Sequence, residues 1–140
     1  MSNYTSLITY IKTLLEGITQ LNKVYAYEET QIEGYPAATI SISDTEVEEM
    51  DTGFNFRTYG FTIRIYQEIS EAGLGTDEGE RIMRALIDAV ILKFDQDITL
   101  GDNCIMCKPV PIKAGYLEKE NNVRAADLVL KCLVKIDRTP

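Results

Sequence analysis

The sequence predicts an α+β fold: a mainly antiparallel sheet of about five strands, with two helices packed on one face, in the order α-β-β-β-α-β-β. Three observations predict it. Two segments repeat apolar residues at i, i+3, i+4 and i+7, the mark of a helix that buries one stripe. Residues 37–43, 54–69 and 125–137 alternate apolar and polar side chains with period 2, the mark of half-buried strands. One helical segment precedes the first strands and the other separates the third from the fourth, an order that two helices on one face of a sheet satisfy.

The first helix is expected from Asn3 to about Leu21. Tyr4, Leu7, Ile8, Ile11, Leu14, Leu15, Ile18 and Leu21 form its stripe, and Ser2 or Asn3 serves as N-cap. Gly17 costs about 1 kcal/mol relative to Ala in a helix interior, so the helix frays or ends near it. A short strand follows at 23–27, then the turn Gly34-Tyr35-Pro36. In strand 37–43, Ala38, Ile40 and Ile42 point one way. Thr39, Ser41 and Ser43 form a solvent-facing hydroxyl side.

Residues 44–53 break the alternation with five acids in eight residues, Asp44 to Asp51. Such a run reads as an exposed hairpin loop, or as an arm that reaches a neighbouring subunit or lines an acidic surface. The long strand 54–69 then sets Tyr59, Phe61, Ile63 and Ile65 on one face. Thr58, Gly60, Thr62, Arg64 and Tyr66 take the other. Phe54 and Phe56 sit on the even register, against the odd register of the later apolar residues. A bulge or a change of environment near Arg57-Thr58 would produce that switch.

After a turn at 70–75, the second helix is expected to start at Asp77 as N-cap, with Glu80 completing a capping box. Its stripe is Ile82, Met83, Leu86, Ile87, Val90, Ile91 and Phe94. Residues 98–100 read as a short strand or bridge, and 101–103 as a turn. Residues 104–110 read as a strand cut short by Pro109 and Pro111. A polar hairpin end lies at 115–122. In the last strand, 125–137, Ala126, Leu128, Leu130, Cys132, Val134 and Ile136 share a face, and Val129 and Leu133 partly cover the other.

Composition narrows the function. At 140 residues the chain is expected to form one domain, 1–140. The formal charge of −8 argues against a general grip on nucleic acid, which needs Lys and Arg against phosphates. Apolar runs are short and broken by charges, so no membrane span is expected. The start MSNYTSLITYIKTLLEG reads as a helix start and not as a signal peptide. Three cysteines, an odd number, read as reduced thiols of a cytoplasmic product. Histidine is absent, which removes the commonest general base and metal ligand.

The motifs carry little chemistry. Cys104 and Cys107 form a C-x-x-C with one further thiol, Cys132, too few ligands for a zinc site; they read as small buried hydrophobes. Placed along a strand, Cys104 and Cys107 would point to opposite faces. Gly73, Gly75 and Gly79 match no phosphate loop. The carboxylates Glu46, Glu48, Glu49 and Asp51 lack the spacing of a calcium loop. No catalytic residue, cofactor or metal ligand is therefore expected. One asymmetry stands out. Residues 24–56 hold eight acids and no Lys or Arg, while 108–138 hold seven Lys and Arg against four acids. That suits head-to-tail packing of copies, or pairing within one chain.

The order of segments resembles a known family. An N-terminal amphipathic helix leads to VYAYE and GYPAATISIS. An acidic hairpin, the long strand YGFTIRIYQE, a second helix GERIMRALIDAV and the closing strand LVLKCLVKID complete it. This resembles the tail terminator (tail completion, or tail-to-head joining) proteins of long-tailed bacteriophages, across almost the whole chain. The resemblance implies a virion ring, most often hexameric, that caps the last ring of tail tube protein, ends tail growth and offers a docking surface to a neck or head-completion protein. Genomic DNA would pass through the lumen without specific binding. It also implies a protruding arm around 44–57 that meets the next subunit or the tube, with Asp44, Glu46, Glu48, Glu49, Asp51, Phe54 and Phe56 as its contact residues. A tail tube or neck ring protein of the same lineage, and a small ligand-binding α+β domain, are the alternatives.

Overall fold

A computed structural model describes residues 3–29, 32–49, 53–68, 75–117 and 120–137. The expected α+β class is borne out. Helix α1 (Tyr4–Glu16) leads into β1 (Lys23–Tyr25), β2 (Ala37–Ile42), β3 (Glu46–Glu49) and β4 (Phe54–Glu68). Helix α2 (Gly75–Asp95) precedes β5 (Met106–Leu117) and β6 (Glu120–Asp137). The sheet runs β1-β2-β4-β6-β5, with β3 beside β4 on the same side as β2. The β1–β2 pair is parallel and the others are antiparallel.

Helix α1 starts on a reciprocal cap. The Asn3 side chain accepts from the Ser6 backbone N–H at 2.9 Å, and the Ser6 hydroxyl accepts from the Asn3 N–H at 2.9 Å. Two otherwise orphaned donors are satisfied in this way. Asn3→Ala should therefore cost about 1 kcal/mol. Urea denaturation will measure it, and an unchanged midpoint would mean that the cap does not hold the helix start. The helix ends at Gly17, earlier than the stripe predicts. The Gly17 N–H bonds back to Leu14 and Leu15, while Ile18 and Leu21 stay buried in the turn beyond it. Leu7, Ile11 and Leu15 are fully buried, each worth about 1.5–3 kcal/mol against exposure.

Several boundaries differ from the sequence expectation. Helix α2 begins at Gly75, so Asp77 lies inside it and is not its N-cap. Glu80 pairs instead with Arg124 of β6, at 2.5 Å. Residues 98–100 form a turn and not a strand. Leu100, Gly101 and Asp102 take successive positive φ values of 48°, 62° and 68°, which puts the Leu100 side chain in the core. Asp97 organises this turn. Its carboxylate accepts from the Tyr10 hydroxyl at 2.5 Å and from the Gly101 N–H at 3.0 Å. A Cβ at Gly101 would meet the Tyr10 ring at 2.8 Å, so both φ and space favour glycine there.

Strand β5 runs through Pro109 and Pro111 and does not stop at them. It is an edge strand, and two prolines two residues apart turn their missing N–H groups to the same, unpaired side. The tip between β5 and β6, residues 118–119, lies outside the described residues, as do the turn residues 69–74.

One core lies between the helices and the sheet. It joins Leu7, Ile11 and Leu15 of α1 and Met83, Leu86, Val90 and Phe94 of α2 to the facing strand residues. Those residues are Ala38 and Ile40, then Tyr59, Phe61, Ile63 and Ile65, then Ala126, Leu128, Leu130, Cys132 and Val134. The Phe94 and Phe61 side chains are fully enclosed. Tyr4 packs edge-on against Tyr59 and Phe61, with ring centroids 4.7 and 5.7 Å apart, and its hydroxyl bonds to Thr45.

Candidate assembly face

The register switch in the long strand is a change of environment: Phe54 and Phe56 lie on the sheet face away from the helices, while Tyr59, Phe61, Ile63 and Ile65 face the core. Strand β4 pairs with β6 without interruption from Phe54–Asp137 to Glu68–Val123, so it carries no bulge at Arg57-Thr58. A separate irregularity lies in its other neighbour and leaves the alternation of β4 unchanged. Ile42 pairs with Phe61 and Glu46 with Thr58, which leaves one extra residue between β2 and β3. That is a bulge at Ser43–Thr45, and it rides over Gly60. The Ser43 N–H bonds to the Gly60 carbonyl at 2.8 Å, and a Cβ on Gly60 would lie 2.3 Å from the Asp44 carbonyl oxygen. Past the bulge, the acidic run continues as β3, a sixth strand where its charge predicts a loop or arm.

The sheet face away from the helices is unevenly covered. At its β1 end, the connection after β1 brings Glu28 over the strands. Its carboxylate accepts from Arg64 at 3.2 Å and from the Tyr66 hydroxyl at 3.1 Å. Arg64 in turn holds Asp127 with two bonds, 2.6 and 3.1 Å. Here Thr39 is 1% exposed, so the hydroxyl side of β2 is not simply solvent-facing. The Thr39 hydroxyl oxygen is buried without a hydrogen-bond partner among the described residues, which costs stability. Ile42, which shares a face with Ala38 and Ile40, is 63% exposed at the other end of β2.

The far end of this face is open. Register places its residues in rows across four strands. One row is Glu48, Phe56 and Lys135; the next is Glu46, Thr58, Leu133 and Met106; the next is Gly60, Lys131 and Lys108. Acids therefore line the β3 edge and lysines line β6 and β5. Between them lies an open hollow of about 410 Å³. Ser43, Asp44 and Glu46 form one wall, Val110, Val129 and Lys131 the other, and Thr58 the floor. A second hollow, of about 340 Å³, opens beside Phe54, Lys135 and Asp137.

Of the residues singled out from the sequence, Asp44, Glu46 and Glu48 are exposed along this edge. Glu49 stands opposite Asn55 in the backbone register, and Asp51 lies outside the described residues. Phe54 and Phe56 are half-buried and stack edge to face at 5.7 Å. The Lys135 ammonium sits 4.4 Å from the Phe54 ring centre, within cation–π range. Lys108, Lys131 and Lys135 join these residues across the sheet. Their signal was the basic bias of 108–138, but only the strand register shows that they share the face with the acids.

The three thiols lie elsewhere, in the core. Cys104 precedes β5 and does not belong to it, so Cys104 and Cys107 both point inward and not to opposite faces. Cys107 pairs in register with Cys132. Burial pushes the Cys107 thiol up to about 12. A hydrogen bond from Cys132 holds the Cys104 thiol below its ordinary value, and the same bond raises Cys132. Thiolate is the reactive form. Iodoacetamide at pH 8 should therefore label Cys104 first, with Cys107 and Cys132 protected until unfolding; mass spectrometry would contradict this if all three labelled at one rate. Among the described residues, no group of three or more Cys, Asp or Glu side chains is placed to hold a metal ion. No helix among them is long and apolar enough to cross a membrane.

The arrangement is that of an α+β fold whose helices cover one sheet face and whose other face presents an acidic and a basic edge. Neither a family model nor a curated protein matches the chain. Among solved structures, the fold is similar to that of a chain from the virion of a native gene transfer agent particle. The TM-score is 0.63 at 17% identity, over 92% of this chain and 94% of that one. At that identity the likeness is one of fold.

Proposed function

We propose that this chain is a structural protein of a phage-like virion, and within it a tail terminator. In this reading copies close into a hexameric ring. The ring caps the tail tube, ends its polymerisation and gives the neck or head-completion protein its docking surface. DNA passes through the lumen unbound. The observation that carries the reading is the end-to-end likeness to a virion chain, 92% of one and 94% of the other. A match of that extent involves the whole domain and not a common supersecondary piece. The order of segments in the sequence supports the finer assignment. The net charge of −8 fits a conduit, since acidic groups facing the lumen repel phosphate and let DNA slide.

The arm of this proposal is the acidic run Asp44, Glu46, Glu48, Glu49 and Asp51, with Phe54 and Phe56 following it in the chain. It meets the next subunit or the tube. Deleting residues 47–53 should abolish ring formation or tube binding, and an unchanged ring that still binds tubes would remove the arm from the proposal. The fold likeness singles out no particular ring of the particle, so a tube or neck ring protein of the same lineage is the second reading. Negative-stain images of the purified chain separate the two. Single annuli are expected for a terminator, and open-ended tubes would favour a tube protein. Monomers would contradict both and return the chain to the class of small ligand-binding domains.

A further inference from the structure

The open face carries a like-charge pair that its own chain leaves unanswered. Lys108 of β5 and Lys131 of β6 stand directly opposite in the strand register, and both are exposed. Like charges placed so repel and reduce stability. Among the described residues, neither has an ion-pair partner. Two other cations of this face are engaged: Arg64 with Asp127 and Glu28, and Lys135 with the Phe54 ring. The acids on the far side of β4 are equally unanswered. Asp44, Glu46 and Glu48 are exposed and make no ion pair among the described residues. Strand β4 separates them from β6, so the two edges stand about 10 Å apart across the sheet. The chain thus holds two complementary edges that it does not join.

A second copy brings the matching edge to each. We propose that β3 of one copy seats Glu46 and Glu48 on the Lys108–Lys131 pair of the next, head to tail around the ring. This rests on the ring reading and names the contact within it. A contact between two different patches is heterologous, and such contacts close into rings when the rotation allows. The charges set partner orientation and encounter rate more than raw affinity. Assembly should accordingly slow as salt rises.

Two charge reversals test this. One variant carries Glu46→Lys with Glu48→Lys, and the other Lys108→Glu with Lys131→Glu. The sites are exposed, so each variant should unfold near the wild-type midpoint. Neither variant alone should form annuli. An equimolar mixture should form them again, with the two chains alternating. If a reversal prevents folding, the neutral pair Glu46→Gln with Glu48→Gln replaces it, and its rings should dissociate at lower salt than wild type. Annuli that persist in both reversals overturn the contact while the ring reading stands, and so does a mixture that stays dissociated. A wild-type particle of two copies overturns the head-to-tail geometry. A wild-type monomer overturns the ring reading itself.

Discussion

Phe61→Ala will destabilise the fold by about 3–5 kcal/mol. Phe61 is fully buried at the centre of β4. It is paired in register with Ile42 of β2 and Leu130 of β6, and the Tyr4 ring packs on its edge at 5.7 Å. Truncation removes the transfer energy of the ring and leaves a cavity between sheet and helices that close-packed neighbours refill only in part. It also frees Tyr4, which ties the start of α1 to the bulge through Thr45. Domains of this size are stable by about 5–15 kcal/mol in total, so the loss takes a large share. Urea denaturation gives the value directly. A loss under about 1 kcal/mol would mean that the site collapses freely and that the sheet–helix core is not organised around this ring.

Gly60→Val will also destabilise, by about 1–3 kcal/mol. Propensity alone predicts the opposite sign. Gly60 sits inside a strand, where valine is favoured and glycine disfavoured. The deciding fact is the bulge that crosses it. A Cβ would lie 2.3 Å from the Asp44 carbonyl oxygen, a backbone atom that cannot swing aside like a side-chain tip. Either the bulge lifts off β4 or the Ser43 N–H loses its bond to Gly60. In both cases β3 loosens, and its amides at 46–49 should exchange faster with solvent while those of β6 stay protected. A variant as stable as wild type, with β3 still protected, would show that the bulge yields at no cost.

The helices and the core strands were legible because burial on one face writes a period into the sequence. The stripe of α1 and the alternation from Tyr59 to Ile65 each report one covered face. Asn3 as cap and Gly17 as stop were legible for the same local reason. Strand β3 was not. Its Glu-Val-Glu-Glu sequence buries little, and only its pairing with residues 55–58 makes it a strand. The run through Pro109 and Pro111 was hidden because their tolerance depends on β5 lying at the edge, a fact of topology. The start of α2 was misplaced because Asp77 carries a capping signal inside a helix that begins at Gly75. The switch from Phe54 and Phe56 to the odd register reads as a change of environment: the two rings lie on the face away from the helices. The acidic half of the candidate face was legible as a charge run. Its basic half was not, because Lys108 and Lys131 lie 23 positions apart and meet only through the β5–β6 register.

Native mass spectrometry of the wild-type chain, over a range of concentrations, reads whether copies close into a ring. A closed ring has a fixed copy number that does not grow once the ring is complete. One dominant species of six copies is expected. A monomer at every concentration, or a mass that rises without limit, would contradict it.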